Sequence, residues 1–131
     1  MARILVIEDE PGVAEILQVN LVASGHAVRT VGDGQAALAL LDAPPPDLLL
    51  LDLNLPCVSG FRFMDVMRRT PGWEDVPVVV VTAFNFEEAV DVVRGGVDEF
   101  VTKPFDVRDV LAAVERAAAR ASLPREPPPR G

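Results

Sequence analysis

Three short runs in this chain, Ile4 to Ile7, Leu48 to Leu51 and Val78 to Val81, are apolar at every position. A strand packed on one face alternates apolar with polar residues; a run without alternation marks a strand covered on both faces, as in a parallel sheet flanked by helices. Ala27 to Val31, with polar interruptions, and a weaker stretch around Phe100 and Val101 bring the set to five. Helical spacing fills the intervals. From Pro11, a favourable first-turn residue, Val13, Ile16, Leu17 and Leu21 recur on one helix that stops at Gly25, its expected C-cap. Further helices are predicted over about Gln35 to Leu41, Gly60 to Arg69, Phe86 to Arg94, and Val107 to Ala121 with Asp106 as N-cap. This βα rhythm, repeated five times, predicts right-handed crossovers and an open, doubly wound parallel sheet of the α/β class.

The 131 residues suffice for one domain, expected over 1–121. Ser122 to Gly131, with Pro124 and Pro127 to Pro129, cannot continue a helix and reads as a Pro-rich tail or linker stump. Cys57 is the only cysteine, which excludes an intrachain disulfide and, without clustered histidines, a zinc site. That usage suits a reducing cytosol, and the expected location is cytoplasmic. No apolar run approaches the ~20 residues of a spanning helix, and Glu8 and Asp9 come too early for a signal peptide. A net charge of −8 repels phosphate backbones, so no direct nucleic-acid binding by this domain is expected. Gly32-Asp33-Gly34 reads as a loop, the chain has no GxxxxGK[ST] nucleotide loop, and His26 reads as an exposed linker histidine.

In open α/β sheets the site lies beyond the carboxyl ends of the strands. The first strand ends in Glu8 and Asp9, the third in Asp52, the fourth in Thr82, and the fifth is followed by Lys103 and Pro104. Each residue alone has an ordinary role as a helix-terminal acid, a strand end or a surface charge. Together, three carboxylates on one edge cost stability unless a cation offsets them, and hard oxygen donors suit Mg²⁺, with Mn²⁺ as an alternative. An Asp beside Mg²⁺ can attack a phosphoryl group and form an aspartyl phosphate, with a lysine and a hydroxyl stabilising the transferring charge. The chain uses eleven arginines and a single lysine, Lys103, retained where a compact ammonium is useful.

The stretches Ile4-Leu-Val-Ile-Glu-Asp-Glu-Pro, Asp47-Leu-Leu-Leu-Leu-Asp-Leu-Asn-Leu-Pro with Ser59-Gly60, Val79-Val-Val-Thr-Ala83 and Asp98-Glu-Phe-Val-Thr-Lys-Pro-Phe105 resemble a response-regulator receiver domain of the CheY-like type. The resemblance covers about residues 2 to 121. It implies a flavodoxin-like (βα)5 fold with strand order 2-1-3-4-5, Asp52 as phosphoacceptor, and Glu8 and Asp9 as the acidic metal pair. It further implies that the backbone carbonyl of Asn54 completes the Mg²⁺ shell, that Thr82 follows the phosphoryl group inward, and that Lys103 is the site ammonium. Phe100 matches the aromatic switch, and Pro104 the residue often preceded by a cis peptide. Cys57 stands where a small residue such as glycine is expected. Phe84, beyond Thr82 and Ala83, is expected to lean over the phosphoryl group and slow its loss.

These expectations describe a switch rather than a turnover enzyme. A sensor histidine kinase or phosphotransfer protein would phosphorylate Asp52. Thr82 and Lys103 would move inward and Phe100 repack, changing the face of the fourth helix, fifth strand and fifth helix (α4-β5-α5) for a downstream target, an effector domain or a phosphorylation-dependent homodimer. Candidates on that face are Phe86, Val90, Val93 and Arg94, with Arg108, Asp109, Glu115 and Arg116. Three alternatives stand beside it. A haloacid-dehalogenase-type phosphatase would need its nucleophile at the end of the first strand and a second acid where Asn54 stands. A flavin-binding domain would need aromatic and hydroxyl-rich loops. A degenerate receiver acting by binding alone would have lost site residues that are present here.

Overall fold

A computed structural model of the chain describes residues 1–84, 87 and 96–121. The five apolar stretches pair in parallel as β1 (Arg3–Ile7), β2 (Ala27–Val31), β3 (Leu48–Leu51), β4 (Val78–Thr82) and β5 (Glu99–Thr102). Their order is β2-β1-β3-β4-β5. In register, Ile4 lies beside Leu48, Leu50 beside Val79 and Val80 beside Phe100. The sequence reading of fold class, strand order and strand positions is thus what the chain adopts.

The absence of alternation has a direct cause. Leu5, Ile7, Leu49, Leu51, Val78 and Val80 face one layer, built from α2 (Gly34–Ala39), α3 (Gly60–Arg68) and Trp73. Ile4, Val6, Leu48, Leu50, Val79 and Val81 face the other, built from α1 (Pro11–Ala23) and the C-terminal helix (Val107–Ala121). Successive strand side chains point to opposite faces, so a strand with helices on both sides needs apolar residues at every position. In the C-terminal helix, Ala113 and Ala117 are fully buried, which lets its backbone approach the sheet.

The helix ends follow their sequence signals closely. Pro11 occupies the first turn of α1. At the other end the Gly25 N–H donates to the Val22 carbonyl at 2.9 Å and the His26 N–H to the Leu21 carbonyl at 3.1 Å, with Gly25 at φ +94°. This is a Schellman motif with Ser24 as the cap, so Gly25 sits one place beyond the cap position expected for it. Asp33 caps α2 through its carboxylate, which explains Gly32-Asp33-Gly34 as a helix-entry loop. The helix then tightens into a 3-10 turn over Leu40–Asp42 rather than running on to Leu41. Asp106 accepts from the Arg108 N–H at 2.8 Å, as expected of an N-cap.

His26 corrects its reading as an exposed linker residue. Its side chain is only 8% exposed. Its Nδ1 accepts from the Ala2 N–H at 3.1 Å and its Nε2 lies 3.2 Å from Glu115, tying the amino terminus to the C-terminal helix. A turn residue that follows a Schellman glycine is carried back over the core, which is why exposure fails here. The expected fourth helix, Phe86 to Arg94, and the expected tail, Ser122 to Gly131, lie outside the described residues. Among the described residues no helix is long and apolar enough to cross a membrane.

Candidate functional site

Strand order reverses between β1 and β3, since β2 continues from one side of β1 and β3 from the other. A crevice opens at such a switch point beyond the carboxyl ends of the strands. Glu8 follows β1 there, held by its N–H to the Val31 carbonyl, and Asp52 follows β3, held by its N–H to the Ile7 carbonyl. Thr82 is the last residue of β4, and Lys103 follows β5 with its N–H on the Thr82 carbonyl at 2.8 Å. The peptide bond between Lys103 and Pro104 is cis, as expected from the sequence.

The side chains converge on Asp52. Its Oδ1 accepts from the Thr82 hydroxyl at 2.9 Å and from the Asn54 N–H at 3.0 Å. Its Oδ2 accepts from the Lys103 ammonium at 2.8 Å, and the same ammonium donates to Glu8 Oε1 at 2.9 Å. Glu8, Asp52 and Thr82 are buried, whereas Asp9 is exposed at the mouth. One oxygen from each of Glu8, Asp9 and Asp52 can be chosen so that all three lie within 4.8 Å of one another. With all three ionised, a single ammonium leaves two negative charges uncompensated, which matches the charge of a divalent cation. The donor set is entirely hard oxygen, so it fits Mg²⁺ by both charge and ligand type.

Burial pushes the Glu8 carboxyl up to about 7, and the nearby Asp52 charge adds to the rise against the hydrogen bond from Lys103. Burial opposes the charge on Lys103 too. Its hydrogen bonds to Asp52 and Glu8 outweigh that penalty and hold the ammonium above its ordinary value.

The loop after Asp52 is built around two tight places. Cys57 has φ +68°, in the left-handed region that glycine enters freely, which gives the physical reason for expecting a small residue there. Gly60 opens α3 with its N–H on the Leu53 carbonyl at 3.0 Å, after Ser59 has capped the helix. A Cβ at Gly60 would collide with the backbone of Asp52 and Leu53, so the glycine lets α3 seat directly against the strand end carrying the acid.

Phe84 packs its ring edge-on against Phe61 of α3, centroids 5.7 Å apart, and its N–H points to Thr82 Oγ1 at 3.4 Å. Ala83 between them is exposed, and Phe100 is half-buried against the α3 side of the core. Of the expected partner face, Arg116 pairs with Glu99 of β5 at 2.7 Å, while Glu115 turns toward His26, away from β5. Phe86, Val90, Val93 and Arg94 lie outside the described residues.

A family profile described as a response regulator receiver domain matches residues 4–115. The chain belongs to the response-regulator receiver family. Among characterised relatives, the DNA-binding dual master transcriptional regulator RpaA of Synechocystis is 37% identical over 121 residues, covering 92% of this chain and 50% of that protein. The transcriptional regulatory protein KdpE of Mycobacterium tuberculosis is 38% identical, covering 92% and 52%. The non-phosphorylated HemR receiver domain of Leptospira biflexa superposes with a TM-score of 0.83 at 30% identity, covering 96% of this chain and 98% of that one. The chain thus spans about half the length of the curated relatives it matches. Receiver domains are the phosphorylation-controlled switches of two-component systems, and Mg²⁺ is typical of the family. These relationships do not favour the phosphatase alternative.

Two features of the receiver site escaped the sequence reading. Asn54 was expected to act through its carbonyl, yet its N–H also holds Asp52. The Glu10 N–H similarly reaches Glu8 Oε1 at 3.2 Å. Backbone donors leave no mark in residue types, because they are placed by the turn of the chain after each strand.

Proposed function

We propose that Asp52 is the phosphoacceptor of this receiver and that residues 1–121 form the receiver domain, with Ser122 to Gly131 as a Pro-rich tail or linker stump. The observation that carries the reading is the hydrogen bonding of Asp52 to both Thr82 and Lys103 within one buried cluster. In the transfer, a carboxylate oxygen of Asp52 attacks the phosphorus of a kinase or phosphotransfer-protein phosphohistidine. The P–N bond breaks, and the imidazole leaves with the electron pair.

Glu8, Asp9, Asp52 and the Asn54 carbonyl would hold Mg²⁺, or Mn²⁺ in its place. The ion would offset charge on the phosphoryl oxygens. Lys103 supplies the fixed ammonium for one of those oxygens, already positioned 2.8 Å from Asp52. Thr82 exchanges its bond to Asp52 for one to the phosphoryl group, and Phe100 fills the space it leaves. The protein assists its own phosphorylation and dephosphorylation without turning over a separate substrate.

The altered surface is the α4-β5-α5 face, read by a downstream protein or effector domain in the cytoplasm or by a second phosphorylated copy. The net charge of −8 argues against nucleic-acid contact by this domain itself. The similarity to transcriptional regulators favours a DNA-binding effector as the output. The test is intact mass after acetyl phosphate treatment in Mg²⁺, for wild type and Asp52→Asn. An adduct on wild type alone is the expected result. No adduct on either protein would turn the reading to a degenerate receiver that signals by binding.

A further inference from the structure

After α2 the chain reads Asp42-Ala-Pro-Pro-Pro-Asp47. The 3-10 turn over Leu40–Asp42 ends the helix early, and three prolines in a row offer no N–H to the sheet. α2 therefore covers Val31 at the carboxyl end of β2 but leaves Ala27 and Arg29, nearer its start, exposed. An open cleft of about 260 Å³ results. Leu5, Ala27 and Arg29 line it from the sheet, and Leu40, Pro44 to Pro46 and Trp73 from the connecting segments. Its walls are fixed in place. Each proline holds its own φ, Arg3 donates to the Pro45 carbonyl at 3.2 Å, and Trp73 Nε1 donates to the Ala43 carbonyl at 3.1 Å. A cleft formed in advance loses little order when a ligand enters.

The charge of this cleft runs against that of the chain, whose net value is −8. Among the described residues that line it there are two guanidiniums, Arg3 and Arg29, and no carboxylate. Arg3 is engaged by the Pro45 carbonyl and, at 3.7 Å, by Asp47. Arg29 makes no hydrogen bond or ion pair among the described residues. We propose that the cleft binds a small amphipathic carboxylate, its aromatic or branched apolar body against Leu40, Trp73 and the prolines and its carboxylate on Arg29. The guanidinium fork matches a carboxylate through two parallel hydrogen bonds. One unengaged cation balances one negative charge, which favours a monocarboxylate over a phosphate dianion. At about 30 Å³ per water the space equals roughly nine waters, room for a phenyl ring on a short chain. The cleft lies toward the amino-terminal ends of β1 and β2, away from Glu8 at the other end of β1, and the proposal does not rest on phosphorylation of Asp52.

Trp73 is the only tryptophan in the chain, so its indole N–H gives a single nitrogen–proton resonance that reports on the cleft. The test titrates the full chain with 3-phenylpropionate at constant pH and salt, and a saturable shift of that resonance by millimolar ligand is expected. The amide of the same acid keeps the apolar body without the charge, and inorganic phosphate carries charge without the body. Each is expected to bind at least about tenfold more weakly. Arg29→Gln should weaken binding of 3-phenylpropionate about tenfold at an unchanged melting temperature, and Arg29→Lys should fall between. Ala27→Ile, which fills the cleft from an exposed strand position, should abolish binding. A wild type without a saturable shift at millimolar ligand overturns the proposal. Equal binding of the amide or of phosphate, or undiminished binding by Arg29→Gln or Ala27→Ile, overturns it as well.

Discussion

The Thr82 hydroxyl donates to Asp52 Oδ1 across 2.9 Å, so the residue proposed to switch is held by the proposed phosphoacceptor itself. Modifying Asp52 removes that bond and offers another, which links the chemistry to the position of β4. Thr82→Ala is expected to leave Asp52 reactive, because Lys103 and the Asn54 N–H still orient it. It should abolish the ligand-induced change at Phe100. Comparing Phe100 ring resonances with and without beryllofluoride checks this; an undiminished shift in Thr82→Ala would place the coupling elsewhere.

Stability should depend on pH through Glu8. Burial raises its carboxyl to about 7 in the folded chain from an ordinary value of 4.5, so the folded state holds the proton more tightly than the unfolded state between those limits. Metal-free protein is therefore expected to lose stability as pH rises from about 4.5 to about 7. Mg²⁺ requires the ionised carboxylate, so the increase in melting temperature it produces should grow as pH rises through about 7. Thermal scans at several pH values, with and without Mg²⁺, measure both trends. Asp52→Asn should blunt the Mg²⁺ response.

Phe84 is anchored by Phe61 at the rim of the site, with a neighbouring backbone bond to Thr82. A ring fixed there restricts the approach of attacking water, and Phe84→Ala is expected to shorten the lifetime of the aspartyl phosphate several-fold. The decay of the adduct by intact mass gives the rate. Equal lifetimes would show that the ring does not guard the phosphoryl group.

Gly60→Ala is expected to destabilise the fold by about 1–3 kcal/mol, because the new methyl must push α3 away from the Asp52–Leu53 backbone. Phosphorylation should weaken with it, since the displaced segment carries the acceptor. Gly32→Ala, where an added Cβ meets open space, is the matched control and should melt close to wild type. Chemical denaturation of the two variants checks the difference.

The sequence made the sheet legible because its strands are covered on both faces, so apolar runs such as Leu48 to Leu51 could not belong to a half-wet sheet. Glu8, Asp52, Thr82 and Lys103 were legible because each sits at or just past a strand end, where the fold class alone places the crevice. Contacts made by chain direction rather than residue type were not legible. His26 looked like a loop residue until the Schellman turn brought it under Glu115. Trp73, 2% exposed and bonded through Nε1 to the Ala43 carbonyl, lies in a connecting segment with no periodic pattern to announce it as core.

Four identical leucines in β3 have a further consequence. A strand whose side chains are interchangeable cannot tell one alignment from a neighbouring one by how they fit the interior. The information must come from the two residues that bracket the run. At one end Asp47 exchanges backbone and carboxylate bonds with Arg3; at the other Asp52 docks on the Ile7 carbonyl, Lys103 and Thr82. Asp52, the proposed phosphoacceptor, thus also works as an alignment mark for the centre of the sheet, one of the two residues that tell β3 where to stop.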